Sequence, residues 1–241
     1  MEILRTEHLK KSYGRRSVLR GVDLTLERGR AYAMVGINGA GKSTLIELIC
    51  GVRRADSGRI LLDGKDLSRH AGKHRALVGY MPQQGALFPD LTVRENLSYL
   101  GTVYGIPNIR ERAAEVETLC FLSDKSDMLW KNLSGGYRQL TSLAAAILHA
   151  PKLLILDEPT SAMDPLFRRQ FWQIIHRLKE TETTVLVSTH HVEEISECDR
   201  ILCLADGVIV HETDVADMYE NGRFHSVDEV LAAYIFGGEK V

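Results

Sequence analysis

The chain has 241 residues, 44% hydrophobic and 26% charged, enough for one large domain or one core with an inserted subdomain. Its 30 Lys and Arg against 32 Asp and Glu leave a net charge of -2, which gives no electrostatic reason to expect nucleic-acid binding. The four cysteines are scattered without a C-x-x-C pair, so buried free thiols are expected rather than a zinc knuckle or a disulfide framework.

Glu2 to Leu9 and Val18 to Leu26 alternate apolar and polar residues and predict two strands. After a turn at Glu27-Arg28-Gly29-Arg30, the apolar run Ala31 to Val35 predicts a buried strand. It leads into Gly36-Ile37-Asn38-Gly39-Ala40-Gly41-Lys42-Ser43-Thr44, which reads G-x-x-x-x-G-K-S. Leu45 to Cys50 then predicts a helix that stops at Gly51. Strand, glycine-rich turn and helix together make a phosphate cradle. Glycines let backbone N–H groups face an anion, and the helix start adds orphan donors and a positive dipole end. In that setting Lys42 reaches the β- and γ-phosphates, and the Ser43 hydroxyl holds Mg²⁺.

Arg59 to Leu62 predicts a short strand between turns at Asp56-Ser57-Gly58 and Asp63-Gly64, and Ala76 to Met81 predicts another, ended by Pro82. From about Thr92 to Ala150 the periodicity becomes helical. Thr92 and Glu95 form a capping-box pattern ahead of a helix over 93–100. A second helix is expected over 108–121, and a third from Ser134 to Ala150. Strand character returns at Leu153 to Leu156, followed by a helix from Pro165 to about Lys179. Thr183 to Ser188 predicts a central strand and Val192 to Glu197 a short helix. Ile201 to Leu204 and Val208 to His211 flank Asp206-Gly207 as a hairpin. The tail, 214–241, holds two short helical patterns.

Leu156-Asp157-Glu158 is the second chemical signal. An apolar strand ending in a carboxylate fits a Mg²⁺ ligand at the edge of a parallel sheet where nucleotides sit. Glu158 beside it is placed to polarise a water for attack on the γ-phosphate. Between these two signals lies Leu133-Ser134-Gly135-Gly136, followed by Tyr137-Arg138-Gln139. This resembles the signature motif of the ABC (ATP-binding cassette) ATPases, in the order that family uses, and the likeness runs to about residue 212.

The resemblance implies an α/β fold. It would combine a P-loop NTPase core of the ABC ATPase type, an inserted helical subdomain and an N-terminal antiparallel β subdomain. The expected division is a nucleotide-binding core over 1–84 and 151–213, a helical signature subdomain over 85–150, and a short helical extension over 214–241. ATP and Mg²⁺ are the implied cofactors. Gly36, Asn38, Gly39, Ala40, Gly41, Lys42, Ser43 and Thr44 would hold the nucleotide. Tyr13 would stack on adenine, and Ser43, Gln83 and Asp157 would hold the metal. Glu158, His190 and Gln83 would be catalytic, with Gln84 and His191 as adjacent rivals. Ser134, Gly135 and Gly136 would close the nucleotide site of a second subunit, and Asp164, in Ser161-Ala162-Met163-Asp164, would belong to the communicating loop. Leu140 departs from the arginine that often follows the signature glutamine.

The implied partners are a second ATPase subunit and a transmembrane permease subunit, with no nucleic acid. No apolar run reaches the ~20 residues of a membrane span, and Met1 to Lys11 has no signal-peptide core. The expected location is therefore the cytoplasmic side of the membrane, held there by the permease without insertion. Leu87, Phe88 and Leu91 are expected to line its docking groove. Asp164 to Trp172 and Ser226 to Leu231 resemble exporter ATPases. An importer ATPase, a soluble ABC ATPase acting on ribosomes or DNA, and a regulatory module with little hydrolysis are the alternatives.

Overall fold

The computed structural model describes residues 1–67, 76–83, 87–161, 163–220 and 229. Gln84, Ala162, the second helical pattern of the tail and the stretch from Ser226 to Leu231, Glu229 apart, lie outside them.

The chain runs β1 (Glu2–Tyr13), β2 (Arg16–Glu27), β3 (Ala31–Val35), α1 (Lys42–Ile49), β4 (Ser57–Leu62), β5 (Lys65–Asp66) and β6 (Val78–Met81). Helices α2 (Val93–Val103), α3 (Ile109–Leu119) and α4 (Gly135–Ile147) follow. Then come β7 (Leu153–Asp157), α5 (Pro165–Glu180), β8 (Thr184–Ser188), α6 (Val192–Ser196), β9 (Arg200–Ala205), β10 (Val208–Asp214) and α7 (Val215–Glu220).

Six strands form the larger sheet, in the order β10-β9-β3-β8-β7-β6. All its neighbours are parallel except β10, which returns antiparallel along β9. Every residue of β3 and β8 is buried, as a parallel strand covered on both faces requires. The period of two sorts their side chains. Ala31, Ala33 and Val35 join Leu154, Leu156, Val185 and Val187 in the core shared with α2 to α5. Tyr32 and Met34 point the other way, into the core shared with α1 and the smaller sheet. That second sheet is antiparallel, in the order β2-β1-β4-β5.

The capping box forms as expected: Glu95 N–H donates to Thr92 Oγ1 at 3.1 Å, and Thr92 N–H donates back to Glu95 Oε2 at 2.8 Å. Leu140 is fully buried among the helices, so this position is a core site here. All four cysteines are free; Cys50 is only partly buried, the other three fully. Burial pushes all four thiols up, Cys50 to about 12, which leaves them protonated and inert near neutral pH.

The structure departs from the sequence reading at three places. Strands β1 and β2 extend into the polar stretch to meet at Tyr13 opposite Arg16, closing a tight hairpin. β5 is a two-residue return strand after Asp63-Gly64, too short to carry a pattern. Helix α1 starts at Lys42, three residues before the apolar periodicity begins.

Candidate nucleotide site

The register of the large sheet brings three strand ends together. Met34 of β3 pairs with Ser188 of β8, and Asp157 of β7 pairs with the same Ser188. The segments leaving these strands therefore emerge side by side at one edge: the glycine loop, Glu158, and Thr189-His190. Between them and the β1–β2 hairpin lies a cleft of about 940 Å³. Tyr13, Gly36, Asn38, Gly39, Gly41, Lys42, Ser43, Thr44, Gln83, Asp157, Glu158 and His190 all line it.

The loop is glycine-bound by contact as well as by conformation. A Cβ at Gly36 would lie 2.3 Å from the Leu204 carbonyl oxygen. Gly41 has φ 110 and caps α1, so Lys42, Ser43 and Thr44 occupy the first helical turn, where backbone N–H groups have no helical acceptor. Those donors face the cleft together with the positive end of the helix. Lys42 Nζ donates to the carbonyl of Gly36 at 2.6 Å. Burial pulls the Lys42 pKa down, while the charges of Glu158 and Asp157 oppose that shift. The ammonium thus sits in a desolvated place with two carboxylates near it.

Ser188 Oγ donates to Asp157 Oδ1. Burial pushes the Asp157 carboxyl up, the Ser188 bond pulls it down, and neighbouring Glu158 adds to the rise. A half-buried carboxylate under that strain gains from a cation, and with the Ser43 hydroxyl it supplies the oxygen donors that a hard divalent ion prefers. Glu158 sits at φ 47, a left-handed backbone rare for a non-glycine residue. Its N–H donates to Ser188 O at 3.0 Å. Gln83 Nε2 donates to Glu158 Oε2 at 2.8 Å, and His190 Nδ1 lies 3.6 Å from Glu158 Oε1. One carboxylate is thereby flanked by two of the polar side chains that the sequence singled out.

The profile of the ABC transporter family matches residues 19–161. The chain is 36% identical over 211 residues to the linearmycin resistance ATP-binding protein of Bacillus subtilis, covering 86% of this chain and 68% of that one. The chain belongs to the ABC transporter family. It is also 34% identical over 232 residues to a Nod factor export ATP-binding protein of Ralstonia nicotianae, covering 90% and 72%. Among solved structures, the ATP binding subunit of an ABC transporter superposes with TM-score 0.86 at 27% identity, over 97% of this chain and 99% of that one. A dimeric, post-hydrolysis ATP-binding cassette bound to ADP and phosphate superposes with TM-score 0.81 at 26% identity, over 88% and 99%. This chain is therefore an ABC ATP-binding subunit, of a domain family that hydrolyses ATP.

Against that family background, the structure separates residues that the sequence left paired. His190 lines the cleft, whereas His191 stands at the N-cap position of α6 without a side-chain cap bond, and its Nε2 is buried without a partner. Tyr13 stands at the cleft mouth, its ring 5.4 Å from the Arg53 guanidinium and 5.7 Å from Lys11 Nζ.

Five residues of the expected nucleotide set do not line this cleft, and three of them, Ser134, Gly135 and Gly136, were expected at the site of a second subunit. Ala40 is buried, and its N–H donates to Ile37 O at 3.1 Å, so its amide serves the loop itself. Ser134, Gly135 and Gly136 begin α4 and do not line the cleft. Asp164 is a helix cap: its Oδ1 accepts from Leu166 N–H at 2.9 Å and Phe167 N–H at 3.1 Å. Asp164→Ala is expected to cost about 1 kcal/mol. Thermal unfolding should shift down by roughly 2–4 °C for a domain of this size. ATP binding to the single chain should not change. A loss of nucleotide affinity would show that Asp164 does more than cap.

Arg16, Val18 and Ile37 line the cleft without having been singled out. Ile37 sits inside the glycine motif at a position with no side-chain requirement. Arg16 and Val18 reach the site only because the β1–β2 hairpin folds over the loop, and nothing local in the sequence shows that.

Proposed function

We propose that this chain is the ATP-hydrolysing subunit of an exporter, driving substrate across a membrane through a separate transmembrane subunit. The observation that carries the reading is the convergence of Lys42, Asp157, Gln83, Glu158 and His190 on one cleft, while the Ser134–Gly136 turn stands outside it. A complete phosphate cradle and a second glycine-rich helix start that does not face it fit a head-to-tail pair. Each chain's turn then closes the other chain's nucleotide. The dimeric cassette bound to ADP and phosphate supports the pairing of two such chains.

The geometry supports a role for each residue. The amides at the start of α1 and Lys42 hold the phosphates. Tyr13 offers a ring for the base. Ser43 and Asp157, joined by Gln83, would hold Mg²⁺, which neutralises charge across the phosphate oxygens when bound. Glu158 accepts the proton of the attacking water, and the Gln83 amide fixes which carboxylate oxygen is free to do so. His190 donates toward the γ-phosphate as charge grows on it. Export is favoured by the similarity to a Nod factor export ATP-binding protein.

No helix among the described residues is long and apolar enough to cross a membrane, so transport needs a partner with such helices. Leu87 packs against the helical core and Leu91 is half-buried, which leaves Phe88 as the exposed member of the expected docking set. Phe88 meets the equally exposed Tyr99 edge-on, with ring centroids 5.0 Å apart. Such an aromatic pair fits a short apolar-faced helix of the transmembrane subunit. Phe88→Ser with Tyr99→Ser is expected to abolish co-purification with that subunit while ATP turnover of the isolated chain stays unchanged. Retained co-purification would move the docking surface elsewhere. Recovery of no transmembrane protein even with the unaltered chain would count against the transporter reading.

A further inference from the structure

Gly136 is the second residue of α4, and the Phe167 ring lies directly on it. A Cβ at Gly136 would stand 2.4 Å from Phe167 Cγ and 2.5 Å and 2.7 Å from its two Cδ atoms, far inside any real contact. The neighbouring Tyr137 ring meets Phe167 edge-on, with centroids 4.8 Å apart and planes at 78°. The Lys125 ammonium lies 5.3 Å from the Tyr137 ring centroid, which holds that ring in place from another direction. Phe167 itself sits in the first turn of α5, with its N–H bound by the Asp164 cap. That turn is reached from Glu158 by a short segment in which Met163 is buried, the Ser161 hydroxyl donates to Glu158 O at 3.2 Å, and Thr160 donates to the buried Glu194. Phe167, joined through its capped turn to the segment that carries Glu158, is therefore wedged onto the glycine turn of the helical block.

We infer that Phe167 is a positioning residue for ATP hydrolysis. It fixes where the Ser134–Gly136 turn stands relative to the Glu158 segment, acting through Gly136 and Tyr137. The inference rests on the proposed reading that this turn closes the nucleotide of a second copy. It also assigns a reason for the glycine within its own chain: position 136 must lack a side chain because Phe167 occupies the space. A shift of the turn then carries to α5, and through the capped first turn to the segment holding the base.

The test uses the full chain. In Phe167→Ala, affinity for a fluorescent ATP analogue is expected to stay within about twofold of the unaltered chain, while kcat falls about tenfold or more. The Arg138 amide, whose N–H donates to Ser134 O at 2.9 Å, reports opening of the turn. Its hydrogen exchange should quicken about tenfold in the same variant. Phe167→Tyr keeps the ring and should restore both. Gly136→Ala should quicken that exchange while Phe167 is present, and Gly136→Ala with Phe167→Ala should fall back to the level of Phe167→Ala alone. Unchanged exchange in Phe167→Ala overturns the wedge. Faster exchange with unchanged turnover overturns its role in catalysis, as does a loss of nucleotide affinity equal to the loss in kcat. If Glu158→Gln with Phe167 intact never pairs on adding ATP, the two-copy reading fails, and the exchange arm still decides whether Phe167 holds the turn.

Discussion

Replacing Glu158 by Gln is expected to lower ATP turnover by about a hundredfold or more, while ATP still binds. The substitution keeps the shape of the side chain and an acceptor oxygen for the Gln83 amide, now 2.8 Å from Oε2. It removes the basic oxygen that faces the cleft. A hundredfold loss is about 2.7 kcal/mol of transition-state stabilisation, within the range that a single positioned base supplies. Since the phosphate cradle is untouched, nucleotide should remain bound without being consumed. In the head-to-tail arrangement that state is a stable pair, so the variant should roughly double its mass on sizing in the presence of ATP and Mg²⁺. Steady-state phosphate release and sizing with and without nucleotide check both parts. Turnover equal to that of the unaltered chain would remove Glu158 from the role of base.

Lys42→Ala is expected to act one step earlier and to abolish measurable turnover through weak binding. A charge-assisted bond to phosphate contributes roughly 1.5–3 kcal/mol, so affinity should fall by about ten- to a hundredfold. The loss should be larger for ATP than for adenosine, which has no phosphate to meet the ammonium. Lys42 also predicts a pH dependence. Burial lowers its pKa in the free chain. A bound triphosphate favours the ammonium and raises it again, so binding takes up a proton wherever the free chain has lost one. Affinity should therefore hold at neutral pH and weaken as pH rises through the lowered pKa, earlier than an ordinary lysine would dictate. Titrations of nucleotide binding at increasing pH measure this. A flat profile up to the ordinary lysine range would mean that another group carries the phosphate charge.

Much of the fold is legible in the chain because its strongest elements have local causes. Ala31–Val35, Leu153–Asp157 and Thr184–Ser188 are short apolar runs, the pattern of strands buried on both faces. Thr92 with Glu95, and Pro165 after Asp164, mark helix starts by their own hydrogen-bonding chemistry. The polar tips of β1 and β2 carry no such pattern, because their pairing partner rather than burial keeps Tyr13 and Arg16 extended. The start of α1 is hidden for a related reason. Gly41 and Lys42 are poor local evidence for a helix, and the turn forms because the glycine adopts φ 110 there.

The sequence by itself determined the chemistry of the site: G-x-x-x-x-G-K-S, an apolar strand ending in Asp157-Glu158, Gln83 after Pro82, and His190 after Ser188-Thr189. Each is a residue type in a local setting, and local settings survive in a one-dimensional reading. Only the tertiary structure decided which of these share a cleft. The parallel register of β3, β8 and β7 sets their ends level, so residues more than a hundred positions apart meet at one edge. The same packing made Asp164 a cap, left His191 out of the lining of the cleft that His190 lines, and seated Phe167 on Gly136. Those outcomes depend on where whole helices come to rest, and helix placement is fixed by burial summed over many side chains rather than by any one motif.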